Sequence, residues 1–184
     1  MEGRQAIFLD RDGVINYERN DYVKSFSEFR FIEGALEGIG ILSQLGPEIL
    51  IITNQSVVGR SLISEAELIK IHEKMTREIE GNGGRIDGIF YCPHRPEEGC
   101  LCRKPNIGLF TKATTELRLS LKDSLFIGDK QTDAEAGRNA GCRTLIIKSN
   151  TQGSLLRAAK WIASADIMGS QSKKNFYDGI KFLQ

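Results

Sequence analysis

A large excess of positive or negative charge and long apolar runs are both missing from this sequence of 184 residues, and each absence argues against a class of partner. The chain has 25 Lys and Arg residues against 24 Asp and Glu residues, a net charge of +1. Proteins that bind the phosphate backbone of nucleic acids normally carry a clear positive excess, so nucleic acid is not an expected partner. No apolar run approaches the roughly 18 residues of a membrane-spanning helix, so no membrane contact is expected either.

Disulfide spacing and a signal peptide are also missing. Cys100 and Cys102 are separated by one residue, which is poor spacing for a disulfide, and the four cysteines lack the spacing of a secreted domain. The first residues lead into a strand-like segment without the apolar core of a signal peptide. A cytoplasmic location is therefore expected. With 40% hydrophobic and 27% charged residues, the chain is predicted to fold as one domain over residues 1–184 and to act as a monomer.

Short apolar runs alternate with helical stretches, and this order predicts the fold class. The runs lack the alternation of a half-exposed strand, so both faces of each are expected to be covered, as in a parallel sheet. They span residues 6–9, 49–52, 89–91, 125–127 and 144–147, and helices are predicted at 34–45, 64–80, 107–118, 131–140 and 154–164. The order predicts an α/β fold with a doubly wound, Rossmann-like parallel sheet between helices. A strand at 165–168 and a helix at 173–182 are predicted to complete it.

Polar side chains follow the predicted strands at the point where each strand ends. Asp10 and Asp12 follow the first strand, Thr53 the second and Asp129 the fourth. Alternate residues of an extended chain share a face, so Asp10 and Asp12 are expected to point the same way and Arg11 away from them. By itself this segment also fits an ordinary Asp-rich turn. Because parallel strands end at one edge of the sheet, the carboxylates should cluster there and require a cation, and Mg²⁺ suits such oxygen ligands.

Lys104, which follows a cluster of cysteines and precedes Pro105, is expected at the same edge. It adds a positive charge, while the Thr53 hydroxyl and nearby backbone N–H groups add hydrogen-bond donors. A divalent cation, a lysine and such donors together suit the charge that develops on a phosphoryl group. The sequence therefore predicts a phosphoryl-transfer site.

Four short motifs occur in order at these strand ends: D-x-D-G at residues 10–13, T-N at 53–54, K-P at 104–105 and G-D-x-x-T-D at 128–133. The set resembles the haloacid dehalogenase (HAD) phosphatase superfamily and covers essentially the whole chain. The resemblance implies that Asp10 is a nucleophile that forms an aspartyl-phosphate, and that Thr53 and Lys104 hold the phosphoryl oxygens. Asp12 is implied to protonate the leaving oxygen and then to activate water, which requires a pKa closer to neutrality than that of a free aspartate.

The same resemblance implies a magnesium site. Its protein ligands are Asp10, the backbone carbonyl of Asp12, and Asp129. Asp133 is implied to position Lys104 or a metal-bound water. Members of the superfamily differ in inserted cap domains, but the segments before and after the second predicted strand are too short to hold one. No cap domain is therefore expected, and loops are expected to select the substrate.

Three cysteines and one histidine lie within eleven residues, in the spacing C-x-H-x5-C-x-C. Cys92, His94, Cys100 and Cys102 together form a tetrahedral set of nitrogen and sulfur ligands, which predicts a structural Zn²⁺ site. A redox-active dithiol is the main alternative, followed by chance clustering of core cysteines. A zinc ion here would fix the loop that carries Lys104.

The cysteine loop also narrows the resemblance. The segments C-P-H-x-P and C-x-C-R-K-P are similar to a subgroup that holds D-glycero-D-manno-heptose 1,7-bisphosphate phosphatases and the histidinol-phosphate phosphatase domain. The T-N-Q-S sequence at residues 53–56 favours the heptose branch, whereas the short zinc spacer is nearer the histidinol branch. Val57 and Val58 replace a glycine-rich stretch that usually follows T-N-Q-S. The substrate-side residues implied are Asp21, Tyr22, Asn54, Gln55, Ser56, Arg103 and Lys130.

The expected substrate is a small phosphorylated sugar, with removal of the C7 phosphate of the heptose bisphosphate as the leading hypothesis. Histidinol phosphate or another small sugar phosphate is the alternative within the class. A non-catalytic, zinc-stabilised binding module is the alternative from another class, and the intact Asp10 and Asp12 argue against it. Outside these clusters, His72 is expected at the surface or boundary of its helix, and Cys142 as a buried thiol.

Overall fold

Six parallel strands form one sheet in the computed structural model, which describes residues 3–165, 167–168 and 180–183. The strands are β1 Ala6–Leu9, β2 Glu48–Asn54, β3 Gly88–Cys92, β4 Leu125–Gly128, β5 Arg143–Ile146 and β6 Ile180–Phe182. Their order across the sheet is β3-β2-β1-β4-β5-β6. This is the doubly wound order, with its switch point between β1 and β4, and it confirms the predicted fold class.

Helices cover both faces of the sheet. They are α1 Ala35–Ser43, α2 Ser56–Gly59, α3 Glu65–Gly81, α4 Gly108–Leu117, α5 Gln131–Ala140 and α6 Ser154–Ser164. The five helices predicted between residues 34 and 164 are each present to within two residues at either end, and α2 is an additional single turn. The start of α3 is fixed by a capping box, in which Ser64 and Glu67 each accept a hydrogen bond from the other's backbone N–H.

Alternate residues of the central strands enter two separate cores. Ile7 and Leu9 of β1 pack into a core with α1, α3 and α6, while Phe8 packs into a second core with α4 and α5. All of these residues are fully buried. Because both faces of the strand are covered by helices, the strand sequence is continuously apolar rather than alternating.

The C-terminal prediction is partly wrong. Ala165, Ile167 and Met168 lie in a turn after α6 rather than in a strand, and the backbone N–H of Ile167 donates to the carbonyl of Ile162. Ile167 and Met168 are nevertheless buried, so their apolar character reflects packing against the core without strand pairing. Most of the helix predicted at 173–182 lies outside the described residues. Its last three residues instead form β6 beside β5.

Neither of the segments that could hold a cap domain contains one. Residues 10–34, between β1 and α1, form loops with two isolated bridges, and residues 55–64 contain just the short α2. The predicted absence of a cap domain is confirmed for this part of the chain. In the described residues, no helix has both the length and the apolarity to cross a bilayer.

Candidate active site

The carboxyl ends of β1, β2 and β4 lie side by side, because Leu9 is in register with Ile51 on one side and Ile127 on the other. They open onto a cleft of about 600 Å³. Most of the site residues predicted from the sequence line this cleft, namely Asp10, Asp12, Tyr22, Thr53, Asn54, Gln55, Ser56, Arg103, Lys104, Lys130 and Asp133. Topology thus brings together residues from four separate segments of the chain.

Asp10 and Lys104 form a buried ion pair at the centre of the cleft. Lys104 Nζ lies 2.9 Å from Oδ1 of Asp10 and 2.7 Å from Oδ1 of Asp133. Burial raises the pKa of Asp10 to about 6, and Lys104 opposes part of this rise. Burial also disfavours the charge on Lys104, but the two carboxylates hold the pKa of Lys104 above its ordinary value. The lysine is therefore a fixed cation next to the predicted nucleophile.

Asp133 anchors the first turn of α5 as well as Lys104. Its Oδ2 accepts hydrogen bonds of 3.1 Å from the backbone N–H groups of Asp129 and Lys130. A Cβ atom on Gly128 would lie 2.4 Å from the Cβ of Asp133, so a side chain at this position would displace the turn. Asp133 thus uses one oxygen to fix the turn and the other to hold Lys104, as expected for a residue that positions the lysine.

Asp129 is the carboxylate best suited to a cation. Both of its oxygens are buried, and neither accepts a hydrogen bond of ordinary geometry from the described residues. Burial raises the pKa of Asp129 to about 7, Asp10 adds to the rise, and the Ser149 hydroxyl partly opposes it. A Cβ on Gly13 would lie 2.2 Å from Oδ2 of Asp129, so only glycine leaves room there.

Three carboxylates meet at this point. Oxygens of Asp10, Asp129 and Asp133 all lie within 4.8 Å of one another. Asp133 already binds Lys104 and the α5 turn, whereas Asp129 has no such partner. Two buried carboxyl oxygens that accept no hydrogen bond of ordinary geometry from the described residues, next to a second carboxylate, fit a hard divalent cation. These residues therefore fit the predicted magnesium site at Asp10 and Asp129.

Asp12 is held more firmly than the sequence suggests. Both of its oxygens lie 2.9 Å from Nη2 of Arg11, and Asn16 and Gln55 donate further hydrogen bonds of 2.9 and 2.7 Å. Burial favours the neutral acid, but the Arg11 charge and these hydrogen bonds hold the pKa of Asp12 below its ordinary value. The prediction that Arg11 points away from Asp12 is wrong, because its long side chain turns back to the carboxylate. The raised pKa expected for Asp12 is likewise absent from this structure.

The T-N-Q-S segment supports the site from the end of β2. Gln55 Nε2 bridges Asp12 and the Thr53 hydroxyl, which accepts at 2.9 Å. Asn54 donates to the carbonyl of Lys104 at 3.2 Å and accepts from its backbone N–H at 3.0 Å. Ser56 begins α2 and is buried beside the cleft. This segment therefore positions both the predicted acid–base residue and the lysine.

Additional cations lie in the same cleft. Arg103 donates to the carbonyl of His94 at 3.2 Å, and Lys130 pairs with Glu18. Tyr22 lines the cleft with a left-handed backbone, φ 64°. Asp21, by contrast, is exposed and pairs with Arg19 and Lys24, so it holds its own loop and does not line the cleft.

The four predicted zinc ligands are gathered in one cluster. The distances are 3.5 Å from Cys92 Sγ to both His94 Nδ1 and Cys100 Sγ, 3.3 Å from His94 Nδ1 to Cys102 Sγ, and 3.4 Å between Cys100 and Cys102. All three thiols are free. Three sulfur atoms and one imidazole nitrogen at the corners of a small polyhedron fit a tetrahedral zinc ion.

The chain matches known proteins in three comparisons. Residues 101–167 match a family model described as HAD-hydrolase-like. A D-glycero-beta-D-manno-heptose-1,7-bisphosphate 7-phosphatase from Vibrio cholerae is 39% identical over 151 residues, which cover 78% of this chain and 81% of that protein. The chain belongs to the HAD phosphatases. A crystal structure of the D,D-heptose 1,7-bisphosphate phosphatase from B. bronchiseptica, complexed with magnesium and phosphate, superposes with a TM-score of 0.81 at 32% identity. That match covers 87% of this chain and 98% of that one.

The relatives within this HAD family are named for different anomers of the heptose bisphosphate substrate. A D-glycero-alpha-D-manno-heptose-1,7-bisphosphate 7-phosphatase from Campylobacter jejuni is also 39% identical, over 158 residues that cover 85% of this chain and 90% of that protein. Similarity of the same degree to an alpha and a beta enzyme does not select one anomer.

The sequence does not predict the contacts that Arg11 and Asn16 make with Asp12, or the contact of His72 with Arg11, at this HAD site. His72 was expected at the surface or boundary of α3, but it is buried and lies 3.0 Å from Nη1 of Arg11. That expectation is wrong because the helix face carrying His72 packs against the loop after β1. No sequence signal joins these two segments, since their contact depends on the crossing of α3 over the sheet.

Proposed function

We propose that this protein is a Mg²⁺-dependent phosphatase that removes the C7 phosphate of D-glycero-D-manno-heptose 1,7-bisphosphate. The observation that carries the proposal is the Asp10–Lys104–Asp133 arrangement next to the buried carboxylate of Asp129, whose oxygens accept no hydrogen bond of ordinary geometry from the described residues. An anionic nucleophile, a fixed cation and a carboxylate suited to a divalent cation together suit a phosphoryl group. The relatives that are named as heptose bisphosphate phosphatases support the choice of substrate.

Asp10 is the nucleophile in the first step. Lys104 and the backbone N–H of Arg11 both bind its Oδ1, which leaves Oδ2 to attack phosphorus. The bond between phosphorus and the C7 oxygen breaks, Asp12 donates a proton to that oxygen, and an aspartyl-phosphate remains on Asp10. Lys104 and the Thr53 hydroxyl stabilise the charge on the phosphoryl oxygens. Bound magnesium would supply further neutralisation of this charge, held by Asp10, Asp129 and the carbonyl of Asp12.

Asp12 then acts as a base. It accepts a proton from water, the water oxygen bonds to phosphorus, and the bond to Asp10 breaks to release phosphate and restore the carboxylate. The hydrogen bonds from Arg11 and Gln55 keep Asp12 ionised for this step. The phosphate of an incoming substrate places negative charge beside Asp12 and raises the pKa of Asp12. Asp12 can then hold the proton that it donates in the first step.

The phosphate that the product retains requires cations away from Asp10. Arg103 and Lys130 line the same cleft and carry the required charge. We assign the C1 phosphate to these two residues, with the zinc cluster holding Arg103 in place through the carbonyl of His94. Because the described residues form no cap domain over the cleft, the loops that carry Arg103 and Lys130 select the substrate.

A substrate panel with Mg²⁺ tests the proposal. Both anomers of the heptose bisphosphate, histidinol phosphate and fructose 1,6-bisphosphate are compared by kcat/KM for phosphate release. We expect one heptose anomer to exceed every other substrate by more than about tenfold. A maximum with histidinol phosphate would favour the alternative branch, values within tenfold of one another would indicate a generalist, and no release would indicate a binding module.

The nucleophile is tested separately. Asp10→Asn should abolish turnover, because an amide cannot attack phosphorus. Glu135→Gln, a change of the same kind at a half-buried position of α5 that does not line the cleft, should leave turnover intact. Turnover that survives in Asp10→Asn would refute the assignment of Asp10.

A further inference from the structure

Arg11 is a buried cation with few partners. It is 1% exposed, its Nη2 binds both oxygens of Asp12, and its Nη1 lies 3.0 Å from Nε2 of His72. Its Cζ lies 6.0 Å from the centre of the Phe29 ring. Its Nε has no hydrogen-bond partner in the described part of the chain. The guanidinium is therefore oriented by two hydrogen-bonding partners, one of which is His72.

The contact between Arg11 and His72 specifies the tautomer of the histidine. A guanidinium has N–H donors and no acceptor, so Nε2 of His72 must accept and cannot carry a proton. The single proton of the neutral ring then lies on Nδ1. A doubly protonated ring would place two cations in contact, and burial together with Arg11 lowers the pKa of His72 to about 3. His72 is thus a neutral acceptor at physiological pH.

The ring of His72 is itself fixed from the other side. It packs edge-on against Tyr91 of β3, with 5.6 Å between ring centres and 61° between the planes. The Tyr91 hydroxyl donates to Glu65 at the start of α3 with a length of 2.7 Å. Tyr91 and Glu65 therefore hold α3 and β3 together around His72, and His72 can transmit that fixed position to Arg11.

We propose that His72 is a positioning residue for Asp12, which it holds in place through the guanidinium of Arg11. The proposal rests on the acid–base role that the proposed function gives to Asp12. Without the His72 acceptor, Nη1 of Arg11 would join Nε as a buried donor without a partner. The guanidinium would then rotate to find one, and its hold on both oxygens of Asp12 would loosen. Asn16 and Gln55 still contact Asp12, so the loss should be partial.

Two substitutions separate positioning from packing. His72→Leu fills much of the space of the ring with an apolar side chain and removes the hydrogen-bond acceptor. His72→Gln instead provides an amide oxygen that can accept from Arg11. We expect kcat to fall about tenfold in His72→Leu, as for loss of a hydrogen bond to a charged group, while KM changes less than about twofold. His72→Gln should recover kcat to within about threefold of the original enzyme.

A measurement independent of activity decides the contact itself. ¹⁵N NMR of the full chain at neutral pH should show His72 with a protonated Nδ1 and an unprotonated Nε2. The opposite tautomer, or a doubly protonated ring, would overturn the proposal even if His72→Leu failed to fold. Full kcat in a folded His72→Leu, or equal losses in the two variants, would also overturn it.

Failure of the proposed function is distinguishable from failure of this proposal. If the original enzyme releases phosphate from no substrate, the phosphatase assignment fails, and with it the role of Asp12 on which the positioning proposal rests. The tautomer then reports just the Arg11 contact. If the original enzyme is active and the tautomer is wrong, the phosphatase assignment stands and the positioning proposal alone is rejected.

Discussion

Asn54 and Lys104 exchange two hydrogen bonds between the end of β2 and the loop that follows the cysteine cluster. The Asn54 amide donates to the carbonyl of Lys104 and accepts from its backbone N–H. The same loop is tied to the cysteine cluster, because the Asn106 amide donates to the carbonyl of Cys100 at 2.8 Å. The position of the Lys104 ammonium therefore depends on backbone contacts as much as on its ion pairs.

Replacing Asn54 tests this dependence. Asn54→Ala removes both hydrogen bonds and should lower kcat on the best substrate by about tenfold, because Lys104 no longer meets the phosphoryl oxygens in one position. Steady-state kinetics measure the effect. Asn139→Ala, which removes one exposed hydrogen bond to the carbonyl of Pro105, is the matched control and should change kcat less than about twofold. Equal effects of the two changes would contradict the role given to Asn54.

Asp10 and Asp129 should make the metal-free protein less stable as the pH rises. Their pKa values are raised to about 6 and about 7, from 3.8 in the unfolded chain, so the folded protein binds protons more strongly. The penalty is absent below about pH 4 and complete above about pH 8, and for the two carboxylates together it is on the order of 7 kcal/mol. Added Mg²⁺ should remove this penalty, so the stabilisation by Mg²⁺ should increase over the same pH range. Denaturant unfolding with EDTA or Mg²⁺ measures both.

Asp129→Asn isolates the Asp129 contribution to this pH dependence. Without metal, the variant should match the original protein near pH 4 and exceed its stability near pH 8, because one buried negative charge is gone. It should also lose most of the stabilisation by Mg²⁺. A variant that is destabilised at both pH values, or that responds to Mg²⁺ as before, would contradict the site assigned to Asp129.

The cysteine cluster should bind one zinc ion per chain, and zinc removal should lower activity by loosening the loop that carries Lys104. Metal analysis and kinetics before and after chelation, with Mg²⁺ restored, measure this. Cys102→Ser should lose zinc, whereas Cys142→Ser, a buried thiol outside the cluster, should retain it. Full activity with the zinc shown to be absent would reject the clamp.

Arg103→Met should discriminate between substrates. If Arg103 binds the retained phosphate, kcat/KM for the heptose bisphosphate should fall at least about tenfold, since a charged hydrogen bond is lost. Hydrolysis of p-nitrophenyl phosphate, which has no second phosphate, should change less than about threefold. Arg95→Met, an exposed change on the same loop, should affect neither. A parallel loss on both substrates would instead indicate that Arg103 acts on the transferred phosphate.

Much of the fold could be predicted because each signal is local. The apolar run of residues 6–9 predicts strand β1, and the capping residues Ser64 and Glu67 predict the start of α3, in each case from neighbouring positions. The doubly wound order then follows from the alternation of strands and helices along the chain. The clustering of the candidate carboxylates could also be predicted, since parallel strands must end at one edge of the sheet. The C-terminal strand was misplaced because Ile167 and Met168 are apolar for reasons of packing alone, which periodicity cannot separate from pairing.

The contacts around Asp12 could not be predicted in the same way. Strand alternation predicts the direction in which the Cβ of Arg11 points. The rest of this long side chain folds back, so that the guanidinium binds the carboxylate of Asp12. The pKa of Asp12 depends on that return and on Asn16 and Gln55, which the sequence does not place. His72 shows the same limit, because its burial depends on how α3 crosses the sheet.

The central position of β1 affects how the chain can fold. β1 is synthesised first, yet Ile7 pairs with Ile49 on one side and with Leu125 on the other. Its second neighbour is therefore missing until β4, more than one hundred residues further along the sequence, has been made, and an apolar strand edge stays open for that time. Pairings this distant in sequence slow folding. Chaperone dependence and aggregation during synthesis should accordingly respond to changes in β4 as strongly as to changes in β1 itself.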